Sequence, residues 1–217
     1  WRFGAAYNDS GARERGVLAT RLTLDVDYKL TATERLHATL TPLNRGADIT
    51  RIEFGGGEAS LDEVEIEWRA DAFFFEGDLG AILSGFSGKY KSWDLPFAIG
   101  LMPLFFQNGI WMDDAFTGIA TSIIAKNSPK YDISNFDVTF FAGVDKVNSP
   151  LLDRNGEATE RNVNIYGITS FIEANNGYWE VGYGYTDGED ELDDQSYHNA
   201  TIAFTKRYGG WLSNSVR

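Results

Sequence analysis

The chain of 217 residues contains no cysteine, only five prolines and two methionines, and no long apolar run. The absence of cysteine excludes a disulfide framework, but it leaves the redox compartment open. The longest mostly apolar stretch, residues 95–106, contains two prolines. It is shorter than the roughly 18 apolar residues that indicate a membrane-spanning helix. We therefore predict no transmembrane helix.

Positive charge is also scarce, because 19 Lys and Arg residues face 32 Asp and Glu residues, which gives a net charge of -13. Nucleic-acid binding needs clustered Lys and Arg to neutralise phosphates, so we expect no nucleic-acid partner. The chain begins at Trp1 without a basic and apolar leader. We expect that a signal peptide was either removed or never present.

Sequence signatures of cofactor and metal sites are missing as well. We find no phosphate-binding loop, no dinucleotide fingerprint and no Ser-His-Asp order. The two histidines, His37 and His198, are far apart and have no cysteine or third histidine to complete a zinc site. We predict no cofactor, no metal site and no enzymatic activity.

The chain does have a long stretch of nearly strict alternation at residues 18–30. Apolar Leu18, Leu22, Leu24, Val26 and Leu30 share one side, and the other side is polar or charged apart from Ala19. A period of two gathers the leucines on one face of a strand and would scatter them around a helix. A strand of this length exceeds the usual 5 to 6 residues and matches the roughly 9 to 11 that cross a bilayer.

The same alternation recurs along the chain between turn signals rich in Gly and Asn. It predicts about ten or eleven strands, with no helical pattern between them, and therefore antiparallel pairing in a single domain over residues 1–217. The further strands are predicted at residues 35–41, 63–69, 93–101, 136–144, 163–171, 179–185 and 200–204.

An amphipathic sheet must cover its apolar face or turn it toward lipid, and too little chain remains to cover it. Long strands and aromatic residues near their ends favour the second solution. The fold predicted is therefore all-β, an antiparallel up-and-down transmembrane β-barrel whose charged face lines a wet lumen. Aromatic residues near strand ends include Tyr28, Trp68, Trp93, Tyr178, Tyr208 and Trp211.

Charged residues on the polar faces are the predicted lining of the pore. Acidic groups outnumber basic groups, which predicts weak cation preference in a confined water column. The same residues could equally pair across strands and hold the wall together. The predicted pore-lining residues are Arg21, Asp25, Asp27, Lys29, Arg35, Arg51, Glu53, Glu63, Glu65, Glu67 and Arg69.

One segment, residues 102–115, breaks the alternating pattern. It is apolar, aromatic and interrupted by Gly109, and it leads to Asp113 and Asp114. One interpretation is a loop folded into the barrel, with Gln107, Asp113 and Asp114 at a constriction. The other interpretation is a strand end followed by an ordinary packed loop.

The strand 18–30, the start of the next strand at 33–36, the strand and loop at 97–109 and the aromatic strand 179–185 resemble Gram-negative outer-membrane porins. The resemblance is to the substrate-selective and alginate-export-like barrels. It implies passive diffusion of small hydrophilic solutes or ions, an outer-membrane location, contact with lipid and lipopolysaccharide, and a trimer as one assembly. Barrels of this class usually finish on a terminal aromatic residue, whereas this chain stops at Arg217, so we expect part of a larger barrel.

Two other functions remain open. Glu63, Glu65 and Glu67 alternate on one strand face, and this arrangement resembles the carboxylates of jelly-roll glycosidases of the laminarinase type. That resemblance implies a soluble carbohydrate-active protein, although the family pattern has an aspartate where this chain has Glu65. The second alternative is a structural outer-membrane barrel without a conducting pore.

Overall fold

The structure, a computed structural model, describes residues 1–11, 14–45, 48–49, 51–55, 58–61, 66, 68, 70–109, 111–145, 147–148, 160–161, 163–188, 196–210 and 212–216. The chain is all-β with antiparallel pairing, as predicted. It divides into two compact units. Unit 1 contains Trp1–Asp27 and His37–Phe73, and unit 2 contains Tyr28–Leu36 and Phe74–Arg217.

Strands account for most of the chain. Within the described ranges, one α-helix, α1 (Leu79–Ser87), lies between the ninth and tenth strands, and 3₁₀ turns occur at Gln107–Gly109 and Pro129–Tyr131. The strands are β1 (Arg2–Asp9), β2 (Glu14–Arg21), β3 (Leu24–Lys29), β4 (Arg35–Leu40), β5 (Asn44–Arg45), β6 (Asp48–Ile49), β7 (Arg51–Gly55), β8 (Glu58–Leu61), β9 (Ala70–Asp78), β10 (Pro96–Phe106), β11 (Met112–Ser128), β12 (Ile133–Asp145), β13 (Val147–Asn148), β14 (Glu160–Arg161), β15 (Val163–Ala174), β16 (Gly177–Gly188), β17 (Tyr197–Tyr208) and β18 (Leu212–Val216).

Unit 1 contains a four-stranded antiparallel sheet in the order β1-β2-β7-β8. The single strand predicted over 18–30 is wrong in its continuity, because β2 ends at Arg21 and β3 begins at Leu24. The physical reason is a change of partner: β2 is hydrogen-bonded between β1 and β7, whereas β3 belongs to a different sheet next to β4.

Unit 2 is built on a ten-stranded sheet in the order β18-β17-β16-β15-β12-β11-β10-β9-β4-β3, to which β9, β4 and β3 contribute in part. The strands predicted at 136–144, 163–171, 179–185 and 200–204 lie within β12, β15, β16 and β17 and are confirmed. In the residues described, the order ends at β18 and β3 without a pairing that joins them. Closure into a barrel therefore stays a prediction, as does the single domain.

The expectation that no helix interrupts the strands is wrong. Helix α1 begins after Asp78, whose carboxylate accepts hydrogen bonds from the backbone N–H groups of Ala81 (2.7 Å) and Leu95 (2.8 Å). It ends at Gly88, which adopts φ 63°, a left-handed conformation that glycine adopts without strain. With residues 79–95 taken up by this connection, β10 begins at Pro96 and not at residue 93 as predicted.

Two other predicted strands have different outcomes. The strand predicted at 35–41 matches β4. Most of the predicted strand 63–69 lies outside the described residues, and its described members Ile66 and Trp68 are exposed and not in a strand. In the chain as described, no helix is both long enough and apolar enough to cross a membrane.

Register gives the unit 2 sheet two chemically different faces. Row by row across β11, β12, β15, β16 and β17, small and hydroxyl side chains alternate with large apolar ones. The small-residue face includes the row Ser122, Thr139, Thr169, Gly182 and Thr201. The large-apolar face includes two such rows. The first consists of Thr121, Phe140, Ile168, Tyr183 and Ala200. The second consists of Ile123, Val138, Ser170, Val181 and Ile202.

Candidate functional site

The connection between β10 and β11 reverses the chain with three consecutive left-handed residues. Gln107 and Asn108 both have φ 53°, and Gly109 has φ 76°. This conformation is free for glycine but costs energy for a glutamine. Strained backbone of this kind persists when surrounding contacts hold it, and it is concentrated at functional sites.

The Gln107 side chain supplies such contacts. It is only 1% exposed. Its amide nitrogen Nε2 donates a hydrogen bond to the Glu180 carbonyl oxygen on β16 (3.3 Å), and its Oε1 accepts one from the Thr201 hydroxyl on β17 (2.5 Å). Both ends of the amide are thus bonded, which removes the cost of burying it.

Trp111 extends this attachment across β16. Its ring lies on Gly182 and Gly184, so close that a Cβ added at Gly182 would lie 2.6 Å from Cζ3 of the indole. The ring also packs edge-on against Phe106 (5.7 Å between centroids) and Phe141 (6.5 Å). The two glycines therefore form the floor on which the tryptophan rests.

An apolar cluster lies beneath the connection. Its buried members are Phe116, Phe141, Val147, Val163 and Ile165. Leu104, Trp111 and Met112 pack against it from the ends of β10 and β11. The apolar burial holds the connection on the small-residue face near the ends of the strands.

These contacts require a curved sheet. In the order of unit 2, five inter-strand steps separate β10 from β17, which in a flat sheet would place them roughly 24 Å apart at about 4.8 Å per step. Gln107 follows β10 directly, yet it hydrogen-bonds Thr201 on β17. The sheet therefore curves, and the small-residue face is its concave side.

The three residues predicted at a constriction do not come together. Gln107 lies on the concave face. Asp113 does not, because it is paired with Phe105 on the large-apolar face, opposite to Gln107. Asp114 is paired with Leu104, and its side chain lies outside the described part of the chain.

The sequence interpretation missed Trp111, Thr201 and the two glycines beneath the indole. A signal existed in residues 182–185, where glycine alternates with tyrosine. A row of glycines on one strand face indicates that another group approaches the backbone closely. The sequence could not indicate that the group is Trp111, because no local pattern encodes contacts between strands that are not neighbours in the sheet.

Several predicted pore-lining residues contact side chains of opposite charge or hydrogen-bonding partners. In unit 1, Glu53 forms ion pairs with Arg15 and with Arg51, whose Nε lies 3.2 Å from Glu53 Oε1. Asp27 Oδ1 contacts His37 Nδ1 on the neighbouring strand. These contacts favour the alternative in which charged residues pair with one another and stabilise the sheet.

The remaining predicted lining residues have varied surroundings. Asp25 accepts a hydrogen bond from the Thr39 hydroxyl (2.9 Å) and, with Arg21, lines a cavity of about 410 Å³ in unit 1. In unit 2, Arg35 Nε lies 3.9 Å from Glu76 Oε1. Lys29 is exposed at the end of β3. Glu63, Glu65, Glu67 and Arg69 lie outside the described residues.

Metal-binding geometry is absent where it can be assessed. Over the described ranges, no three His, Asp or Glu side chains cluster in a way that could hold a metal ion. His198 instead contacts the Tyr183 hydroxyl through Nδ1 at 2.7 Å. The imidazole thus belongs to an aromatic patch on the large-apolar face.

Comparison with known proteins identifies no relative: no protein-family model, no curated protein and no solved structure matches the chain.

Proposed function

We propose that the chain forms the wall of an outer-membrane channel of a Gram-negative bacterium, through which small hydrophilic solutes or ions diffuse passively. The observation that carries the proposal is the hydrogen bond between Gln107 and Thr201. It requires a sheet that curves with its small, hydroxyl-rich face inside and its large apolar face outside. A soluble barrel has the opposite arrangement, whereas a membrane barrel has this one.

The convex face supports contact with lipid. Large apolar side chains on it are exposed, including Ile119 at 47% and Ile202 at 58%. They recur on each of the neighbouring strands β10, β11, β12, β15, β16 and β17, so they form a continuous apolar surface and not scattered single residues. Soluble monomers rarely expose apolar patches of this extent. Strands of 11 to 17 residues are also long enough to cross a bilayer.

The concave face supports a wet interior away from the apolar cluster. Its middle row consists of hydroxyl residues and glycine, and Ser122 and Thr139 hydrogen-bond each other at 2.7 Å. At the ends of the strands that lie away from the apolar cluster, a cavity of about 410 Å³ is lined by Arg35, Glu76, Asp78 and Ser122. Small and polar linings of this kind suit water and hydrophilic solutes.

The attached connection at 107–111 suits the role of a constriction. It lies on the concave face, and the buried amide of Gln107 and the ring of Trp111 hold it there. The same attachment also favours the second candidate, a structural barrel in which this connection plugs the lumen. The two candidates differ only in whether the barrel conducts.

Reconstitution of the purified chain into planar bilayers tests the proposal. We expect detergent-dependent solubility and discrete single-channel steps. A chain that inserts without conductance supports the plugged barrel, and a chain that stays soluble without detergent rejects both membrane candidates.

Loosening the constriction gives a second measurement. Gln107→Ala removes both hydrogen bonds of the side chain, and we expect larger single-channel steps in this variant. Asp113→Asn is the matched control, because Asp113 lies on the convex face, and it should leave the steps unchanged. Equal steps in the wild type and both variants would contradict a constriction at residues 107–111.

A further inference from the structure

One edge of the unit 2 sheet gathers the short connections between strands. Antiparallel strands bring the chain back to the same edge at every second connection. The turns at 129–132, 175–176 and 209–210 therefore share an edge with the α1 connection. The β3–β4 turn joins them, because Thr31–Glu34 and residues of α1 line one cavity of about 640 Å³. We call this the short-connection edge.

Every lysine that the structure describes lies at the short-connection edge. The chain has seven lysines, and the remaining one, Lys146, is outside the described residues. The opposite edge instead bears acidic strand ends, with Asp113, Asp145 and Asp187 among the residues described. In a chain of net charge -13, this segregation places all of the described lysines on one rim of the sheet, which we call the lysine rim. The described lysines are Lys29, Lys89, Lys91, Lys126, Lys130 and Lys206.

Tyrosines accompany these lysines. Lys130 Nζ lies 5.4 Å from the centre of the Tyr131 ring, and Lys206 Nζ lies 5.6 Å from that of Tyr208. Tyr131 is 66% exposed. A tyrosine ring with an ammonium group above it matches the zone where acyl chains give way to phosphates.

The lysine rim is continuous with the convex apolar face. Lys206 and Tyr208 follow Phe204 on the same side of β17, because they are two and four residues further along the strand. Lys126 is paired with Phe136, on the convex side of β12. A lipid whose chains lie along the apolar face would therefore have its headgroup beside these lysines.

Acidic groups at this edge are partly occupied within the protein. Asp78 accepts backbone hydrogen bonds at the start of α1, and Glu34 accepts hydrogen bonds from the hydroxyls of Thr31 and Thr33. Asp94, Asp132 and Glu173 also lie near this edge. Among the contacts that the structure describes, none of these three carboxylates forms a salt bridge with Lys126 or Lys206.

We propose that the short-connection edge binds the phosphates of anionic glycerophospholipids through its lysines and tyrosines. This inference rests on the proposed membrane function and adds to it the chemical class of lipid that the short-connection edge contacts. Each lysine near an anionic surface contributes about a fivefold gain in affinity.

Native mass spectrometry of the purified chain from mixed micelles tests the inference. The probes are phosphatidylglycerol and phosphatidylcholine, two lipids with the same acyl chains and different headgroup charge. We expect the wild type to retain phosphatidylglycerol preferentially. The triple substitution Lys126→Gln, Lys130→Gln and Lys206→Gln should reduce that preference by about fivefold for each lysine. The triple Lys→Arg variant, which keeps the charge, should retain it.

The outcomes separate this inference from the proposed function. Equal retention of both lipids by the wild type, or a preference that survives the Lys→Gln substitutions, overturns the inference even if the chain conducts. Release of phosphatidylglycerol by an equal concentration of inorganic phosphate, or equal retention of lipid A, also overturns it, because the site would then not be specific for a phospholipid. Failure to insert into bilayers overturns the proposed function, whatever the lipid counts are.

Discussion

The hydroxyl of Thr201 donates a 2.5 Å hydrogen bond to Oε1 of Gln107, although 94 positions separate the two residues in the sequence. The strands that carry them are five steps apart in one sheet. The bond can form only because the sheet curves, and it attaches the β10–β11 connection to the concave face.

Removal of the Thr201 hydroxyl should destabilise the protein. Thr201→Val keeps the shape of the side chain but leaves Oε1 of a buried amide without its donor, so we expect a loss of about 1–3 kcal/mol in the free energy of unfolding. Urea titration in detergent measures it. Thr117→Val, on the convex face, is the control and should change stability by less than about 0.5 kcal/mol.

A methyl group at Gly182 should disturb the seat of Trp111. The added Cβ of Gly182→Ala would lie 2.6 Å from the indole and 2.9 Å from Cγ2 of Thr201, so we expect a loss of about 1–3 kcal/mol from overpacking. Tryptophan fluorescence during denaturation provides the measurement. Gly85→Ala, where the added Cβ meets nothing within 4 Å, should be neutral or slightly stabilising in α1. An unchanged midpoint for Gly182→Ala would show that Trp111 does not rest on that glycine.

Asp78 should stabilise the α1 connection against local unfolding. The Asp78→Ala substitution removes the acceptor for the N–H groups of Ala81 and Leu95, and loss of an N-cap costs about 0.5–2 kcal/mol. We expect faster amide hydrogen exchange over residues 79–95 and little change in β15 and β16. Ser87→Ala at the other end of the helix is the comparison variant. Equal exchange in wild type and Asp78→Ala would argue against this role.

The two faces of β11 should respond differently to charge. Ile119→Arg places a charge on the convex face, and in a bilayer we expect a cost of about 2–4 kcal/mol near the midplane. Ser122→Arg points into the cavity beside Arg35 and Glu76, where water can solvate the charge, so we expect a cost of about 1 kcal/mol from the lost hydrogen bond. Folding into lipid vesicles under urea compares the two. Equal costs would contradict a lipid-facing convex side.

The strands were largely predictable from local pattern. The patterns at 163–171 and 179–185 involve residues only a few positions apart, so they identified β15 and β16 without any knowledge of their partners. Helix α1 escaped prediction because its nine residues are stabilised by Asp78 and Leu95 rather than by a clear helical period. The break between β2 and β3 escaped because pairing partners, and not side-chain pattern, decide where a ladder ends.

The candidate site was also only partly predictable from the sequence. Gln107 stood out in the sequence because the segment around it interrupts the alternation. Asp113 was grouped with it by proximity along the chain, but the period of two in β11 turns Asp113 to the opposite face.

The sequence by itself determined that this protein is all-β, with antiparallel amphipathic strands, because alternation and turn residues act within a few positions of one another. Only the tertiary structure decided that the small-residue face is concave and that Gln107 and Trp111 are attached to β16 and β17. Those contacts depend on how far the sheet curves, and curvature accumulates over many strands from packing that no local pattern contains.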